Sequence, residues 1–405
     1  MRVVLGVTGC IAAYKSTEIV RRLRERGADV TVVATEAALK FVGETTWEAL
    51  SGNAVYSGVF KDVPGVAHVR LGTSADLVIV APATADFLSR AASGRADDML
   101  TSILLTTQAP VLLCPAMHTQ MWEHPATVEN VKTLRSRGVV VKEPASGRLT
   151  GRDSGAGRFP DPNEIVEAAA LFLEHPDAAR SAAEQDLVGK RILVSAGGTQ
   201  EPIDPVRYIG NRSSGKMGYA IAKAARLRGA ETTLVSANTS LPDPAATTVE
   251  NVVTTGDMNA KMQSLLPSND IAIMAAAPAD FSVVEASSKK IKKDGDQGIS
   301  LSLQQTEDIL AGLVEAKEPE QLVVGFAAET ASNHDELLEL GKAKLQRKGA
   351  DLLVLNNVSD GNVFGKDSNE VIIINSEGVL AESQGEKMSV AWAIIEAIKK
   401  HTENN

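Results

Sequence analysis

Cysteine is scarce in this sequence: Cys10 and Cys114 are the two present among 405 residues, and no Cys-x-x-Cys or Cys/His ligand spacing occurs. A disulfide framework and a structural zinc site are therefore excluded as the basis of the fold. Basic residues are short as well. Lys plus Arg number 41 against 51 Asp plus Glu, for a formal charge of −10, which argues against a broad nucleic-acid or membrane-surface interface. Any anionic ligand must be held by local clusters. No run of about 18 apolar residues is found, and the N-terminus reads directly as a strand, so a cytoplasmic protein is expected. Aromatics make up only 4%. Neither half contains Gly-x-Gly-x-x-Gly, which removes a nicotinamide-dependent oxidoreductase made of two dinucleotide-binding units.

What is present is a pattern that occurs twice. Arg2–Val7 is an apolar run that meets Thr8-Gly9, followed by a helix-like stretch from Ile11 to Arg26 and a second strand ending at Val33. The order returns at Arg191–Ser195, with Gly197-Gly198, a long loop, a helix from Lys216 to Arg228 and a strand ending at Val235. Between them, Leu173–Gly189 is charged, Ala-rich and broken by Pro176, and reads as a helix end plus linker. Domains of residues 1–189 and 190–405 are expected. Further buried strands are predicted at 75–81, 111–114, 138–141, 271–276, 321–326, 351–355 and 370–374. Strands alternating with helices predict an α/β class with two Rossmann-like, mainly parallel sheets. Ligands of such sheets sit on the loops after strand carboxyl ends.

In the first half, Gly6-Val7-Thr8-Gly9-Cys10 puts small residues against a helix start, where N–H groups favour phosphate. Thr35 ends the next strand in a hydroxyl. Ala81-Pro82-Ala83-Thr84 lets a flat ring approach backbone, and Pro115-Ala116-Met117-His118 follows the next strand. These loops describe a pocket for a flat ligand carrying a phosphate. Together with Gly94-Arg95-Ala96-Asp97-Asp98 they resemble the flavin-containing cysteine decarboxylase family, specifically the decarboxylase half of the bacterial bifunctional phosphopantothenoylcysteine decarboxylase and phosphopantothenate–cysteine ligase. The resemblance spans about residues 1–160 and implies a flavodoxin-like fold with FMN lined by Gly9, Cys10, Thr35, Ala83 and Thr84. His68 matches the family's catalytic histidine. Two positions depart from the family. Its Pro-x-Met-Asn has His118 in place of Asn, and the cysteine of its Gly-rich flap is replaced by Gly151. The resemblance makes His68 the base; because an imidazole can donate a hydrogen bond to a carboxylate as the Asn does, His118 is expected to be the carboxylate anchor, with the proton donor left open among Asp153, water and a neighbouring subunit.

In the second half, Gly210–Lys216 mimics a P-loop, but Met217 stands where Ser or Thr is required and no strand immediately precedes it. That reading is rejected. The long polar loop running to a helix start near Ser213-Ser214 suits a phosphorylated carboxylic acid, and it resembles the substrate loop of the phosphopantothenate–cysteine ligase family, with Arg207, Asn211, Ser213 and Ser214 as substrate residues. The match continues to the C-terminus and implies a ribokinase/Rossmann-like ligase. Its CTP site would include Met274, Ala275, Ala276, Asp280, Lys290, Glu307, Asp308, Ile309, Leu310, Phe326, Lys344 and Lys348. Lys344 and Lys348, four apart on a predicted helix, share a face. Asn211 would orient the acyl group and Lys290 neutralise transition-state charge. Mg2+ would bridge the phosphates with Asp280 and Asp308 in support.

The resemblance implies an enzyme of coenzyme A biosynthesis that uses 4′-phosphopantothenate, L-cysteine, CTP, FMN and Mg2+, assembled as a homo-oligomer, a dodecamer of trimeric decarboxylase and dimeric ligase domains. The alternative is an active ligase fused to an FMN-binding regulatory domain without turnover.

Overall fold

The computed structural model describes residues 1–60, 64–149, 153–292, 299–359 and 365–404. The chain divides into two units, Met1–Asp186 with Pro244–Ala246, and Leu187–Asp243 with Thr247–Asn405.

The first unit carries strands β1 (Arg2–Val7), β2 (Asp29–Ala34), β3 (Leu77–Ala83), β4 (Val111–Pro115) and β5 (Val140–Val141) in one sheet of order β2-β1-β3-β4-β5. Every pairing is parallel. All seven residues of β3 and all five of β4 are buried, as unbroken apolar runs require when helices cover both faces. This is the flavodoxin-like order, whose switch point lies between β1 and β3. Between β1 and β2 the chain makes a 3-10 turn, Ile11–Lys15, before the α-helix Ser16–Glu25, so the predicted single helix is two segments. A hairpin follows, β6 (Ala145–Arg148) with β7 (Ser154–Arg158). It carries the Gly-rich flap; Gly151 lies outside the described residues.

Pro176 does not break a helix. It occupies the first turn of a helix of its own, Pro176–Glu184, after the helix Pro162–Glu174, the position where its missing N–H costs nothing.

The second unit contains β8 (Arg191–Gly197), β9 (Glu201–Pro202), β10 (Tyr208–Ile209), β11 (Glu231–Ala237), β12 (Thr248–Val252), β13 (Ile271–Met274), β14 (Phe281–Val283), β15 (Leu303–Gln305), β16 (Leu322–Glu329), β17 (Leu352–Asn357), β18 (Ser368–Asn375) and β19 (Gly378–Glu386). Eight of these form one sheet, β12-β11-β8-β13-β16-β17-β18-β19. The pairings are parallel through β17, while β17–β18 and β18–β19 are antiparallel. The sheet is thus mainly, not wholly, parallel. The physical reason is connection length: two residues separate β18 from β19, enough for a hairpin and far short of a crossover. β12 and β19, at the two edges of the sheet, are mostly exposed or half-buried and so lack the apolar run that marks the interior strands.

Candidate functional sites

In the first unit the carboxyl ends of β1 and β3 are tied together by Thr8. Its hydroxyl donates to the Pro82 carbonyl at 2.8 Å and accepts from the Thr84 N–H at 3.1 Å. Ser16 Oγ donates to the Ala81 carbonyl at 2.7 Å. These buried bonds fix a floor on which Gly9, Ala83 and Thr84 stand. Thr84 caps the helix Ala85–Ala92 by accepting from the Phe87 N–H at 3.3 Å, and Thr35 caps Glu36–Leu39 by accepting from the Ala38 N–H at 3.2 Å. A Cβ at Gly9 would lie 2.4 Å from the Ala37 Cβ. Glycine there is required by the close approach of the two loops. Cys10 is half-buried, and burial pushes its thiol up. The five predicted flavin residues thus lie on the loops closing β1, β2 and β3. Small walls and helix-capping hydroxyls at the sheet's switch point fit a flat, phosphate-bearing group.

Gly94–Asp98 has a structural role. Arg90 ion-pairs with Asp86, Asp97 and Asp98, and Asp98 caps the helix Met99–Thr106 in a capping box with Thr101. Burial alone would raise the Asp98 carboxyl; the Thr101 N–H and Arg90 outweigh it and hold it below the usual range.

His68 sits in the first turn of the helix Ala67–Ser74, which leads into β3, and is partly buried. The residue opening that helix, Val66, has φ 41°, a strained conformation for a β-branched side chain. His118 follows β4 and is half exposed; its Nδ1 lies 3.2 Å from Asp153 Oδ2. Asp153 belongs to the flap. The flap's β7 is joined to the same loop by the Met117 N–H donating to the Gly157 carbonyl at 2.9 Å.

The second unit builds its site with charge. A cavity of about 520 Å3 is lined by Met274, Ala276, Pro278–Phe281, Gln305–Leu310, Phe326, Lys344 and Lys348. Lys344 and Lys348 share one face of the helix His334–Lys348 and both reach the cavity. Each arrives with a carboxylate: Lys344 with Glu329 at 2.8 Å, Lys348 with Asp308. Asp308 also caps the helix Ile309–Ala316 by accepting from the Ala311 N–H at 3.1 Å. Burial would raise its carboxyl, but Lys348 and that N–H together hold it below the usual range. Ala275 does not line the cavity. Lys290 is exposed on the segment after β14 and is not among the lining residues. Pro278, Ala279, Phe281, Gln305 and Thr306 also line it and were outside the predicted CTP set; Thr306 Oγ1 donates to the Ala279 carbonyl at 2.6 Å, a tertiary pairing without a sequence signal.

The loop after β8 reaches this cavity through Asn211. Its Nδ2 donates to the Pro278 carbonyl at 2.7 Å and to Asp280 Oδ2 at 3.4 Å. Behind it lies a buried polar network. Thr199 Oγ1 accepts from the Ala279 N–H at 2.8 Å, and Glu201 Oε1 accepts from the Thr255 N–H at 2.7 Å and its hydroxyl at 2.9 Å. Arg207 is engaged elsewhere: its guanidinium donates to Asp204 at 2.5 and 3.0 Å and to the Ile291 carbonyl at 3.0 Å. That contact, with backbone N–H groups of Val206, Ile291 and Arg207, holds the Asp204 carboxyl far below its usual range. Arg207 therefore braces the loop. The helix begins at Lys216 after a Gly215 cap, not at Ser213-Ser214; Ser213 Oγ instead accepts from the Gly215 N–H at 3.3 Å. Lys216, the lysine of the false P-loop, is spent on Asp367 at 2.6 Å and the Gly365 carbonyl. Among the described residues no three His, Cys, Asp or Glu side chains form a group able to hold a metal ion, and no helix is long and apolar enough to cross a membrane.

Comparison with known proteins covers both units. Residues 1–173 match the "Flavoprotein" family model and residues 187–402 that of the DNA/pantothenate metabolism flavoprotein C-terminal domain. The chain is 52% identical over 404 residues to the Coenzyme A biosynthesis bifunctional protein CoaBC of Mycobacterium tuberculosis, covering 98% of this chain and 96% of that one. Against the protein of the same name from Escherichia coli K12 it is 42% identical over 382 residues, covering 93% and 91%. A crystal structure of the C-terminal domain of such a protein shares 37% identity, with a TM-score of 0.45, over 54% of this chain and 100% of that one. With both units matched in order and relatives alike from end to end, this chain belongs to the family of coenzyme A biosynthesis bifunctional proteins.

Proposed function

We propose that this chain, acting in the cytoplasm, joins L-cysteine to 4′-phosphopantothenate and then decarboxylates the product to 4′-phosphopantetheine, with residues 190–405 as the ligase and 1–189 as the decarboxylase. The observation that carries the reading is the presence in one chain of two separately built sites, one of small residues and backbone at a flavodoxin-type switch point, the other a lysine-lined cavity beside a polar loop.

In the ligase, the substrate carboxylate attacks the α-phosphorus of CTP and pyrophosphate leaves; the cysteine amine then attacks the acyl carbon and CMP departs. Lys344 and Lys348 receive the phosphates by exchanging Glu329 and Asp308 for them. Their carboxylates keep both ammonium groups aimed before the nucleotide arrives, which lowers the cost of ordering them. Asn211, already hydrogen-bonded beside Asp280, is placed to orient the acyl group, with Ser213 and Ser214 following on the same loop. Lys290 meets the nucleotide from its exposed segment. Asp280 and Asp308 do not make a cage, and Asp308 is occupied by Lys348, so Mg2+ is assigned to the nucleotide's phosphates.

In the decarboxylase, a carboxylate beside a thiol has no electron sink. FMN, when bound, would supply one as a reversible two-electron acceptor. Gly9, Cys10, Thr35, Ala83 and Thr84 would hold it, while His68 takes the thiol proton and His118 anchors the carboxylate. Both units act within a homo-oligomer, for which the dodecamer of trimers and dimers is the closed arrangement proposed.

The test supplies the purified protein with 4′-phosphopantothenate, cysteine, Mg2+ and CTP, following products by mass. Formation of 4′-phosphopantothenoylcysteine and then 4′-phosphopantetheine is expected. Accumulation of the first alone would leave the ligase and overturn the decarboxylase.

A further inference from the structure

His118 opens the short helix Thr119–Trp122, yet its side chain does not cap it. The ring turns to the flap, Nδ1 facing Asp153 Oδ2 at 3.2 Å, and Nε2 makes no hydrogen bond among the described residues. The approach of flap to loop is built into the backbone. Gly157 has φ +129°, and a Cβ there would stand 2.3 Å from the Met117 carbonyl oxygen; one at Gly155 would stand 2.4 Å from Thr119 Oγ1. Only a strand with glycine at both positions can lie this close to Met117–Thr119. The Leu149 N–H donates to the Asp153 carbonyl at 2.9 Å and closes the hairpin at the same residue. Asp153 is thus set by its own backbone, and it can hold one ring nitrogen while the other faces outward.

We infer that His118 and Asp153 work as a pair that both anchors the substrate carboxylate and returns a proton to the carbon from which that carboxylate leaves. The inference rests on the decarboxylase reading. With Nδ1–H donating to Asp153, the second N–H, on Nε2, holds the carboxylate of the substrate in its thioaldehyde form, the state that two-electron oxidation of the thiol by bound flavin would give. When the carbon–carboxylate bond breaks, its electron pair forms a double bond between the α- and β-carbons, and sulfur becomes the enethiolate. Carbon dioxide leaves Nε2–H facing the α-carbon. The Nε2–H bond then breaks, a C–H bond forms at that carbon, and the carbon–sulfur double bond is restored, to be reduced to the thiol by the two electrons that a bound flavin would return. His118 is the catalytic residue of this step. Asp153 is a positioning residue: it keeps Nδ1 as the donor to itself, so the proton that moves is the one on Nε2. The thiol absent at Gly151 is then unnecessary.

The experiment uses the full-length, FMN-loaded protein with H118N, D153N and the double variant, flavin absorbance confirming that each retains its fold and cofactor. Given 4′-phosphopantothenoylcysteine, H118N is expected to keep an anchor but release mainly a product two hydrogens lighter than 4′-phosphopantetheine. D153N should slow the saturated product about tenfold or more and enrich the lighter one. The double variant should be no worse than H118N alone, because Asp153 acts only through the imidazole. Binding gives an independent readout. Calorimetry with the serine analogue of the substrate, which has no thiol to oxidise, should show D153N weakening affinity roughly tenfold, and no further loss on adding it to H118N. Saturated product from H118N at the wild-type rate, or a D153N effect undiminished in the H118N background, overturns the pair while the decarboxylase stands. Failure of the wild-type protein to release carbon dioxide overturns both.

Discussion

On the function proposed, the two units would hold a phosphorylated ligand in opposite ways. The first uses almost no charge: its loops are glycine, alanine and threonine, braced by Thr8 and Ser16 through hydrogen bonds to the carbonyls of Pro82 and Ala81. The second places two ammonium groups in a cavity and neutralises each in advance with Glu329 or Asp308. A resident cofactor needs a fitted cradle, which backbone shape provides. A nucleotide that is consumed each turnover must be caught and let go, and a lysine that exchanges one anion for another does so without ever being left buried and unpaired.

The largest effect that would sharpen this contrast comes from a single methyl group. Gly197 has φ +85° and a Cβ there would lie 1.9 Å from the Ala237 carbonyl oxygen, so Gly197→Ala is expected to cost about 3 kcal/mol or more. Denaturation followed by Trp392 fluorescence in a W47F/W122F background should show the second unit unfolding early while flavin stays bound to the first. Retention of both transitions at wild-type positions would mean that the loop after β8 yields easily.

Next in size is Lys348→Ala. It removes a proposed phosphate ligand and strands Asp308, so kcat/KM for CTP in the ligation should fall roughly 100-fold, with the flavin spectrum unaltered. A Lys348→Glu variant that ligates normally would end the exchange idea.

Acid should separate the units more gently. Five carboxyls of the second unit, Asp204, Asp257, Asp270, Asp308 and Glu336, are held below their ordinary values, against Asp98 alone among those resolved in the first. A depressed carboxyl contributes stability that is full above its unfolded value, about 4, and is lost as pH falls toward the folded value. The stability of the second unit is therefore expected to decline more steeply below pH about 4. Equal slopes, read by Trp392 against Trp47 fluorescence, would contradict this.

The smallest effect belongs to the neutral site. Thr84→Ala removes a helix cap worth about 1 kcal/mol and a hydroxyl from the proposed flavin cradle, so a modest fall in FMN affinity with little change in ligation is expected from equilibrium dialysis.

The neutral site was the more legible of the two. Gly9, Cys10, Thr35, Ala83 and Thr84 each follow an apolar run, and a strand end marks its own loop. Lys344 and Lys348 were readable from their spacing, but their carboxylate partners were not: Asp308 lies 40 residues from Lys348. Arg207 shows the converse. The resemblance gives it to the substrate, and the fold pairs it with Asp204 and the Ile291 carbonyl, which its place in the chain does not reveal.

By itself, then, the sequence determined the repeated strand–loop–helix order, the interior strands and most of the residues that close them, because apolar runs and glycines act locally. It also carried the family's motifs, and with them the two activities proposed here. Only the tertiary structure decided which charges are paired, where the sheet turns antiparallel, and that Asp153 meets His118. Those outcomes depend on which distant segments share a neighbourhood, and the energy of a buried charge is set by that neighbourhood rather than by its place in the chain.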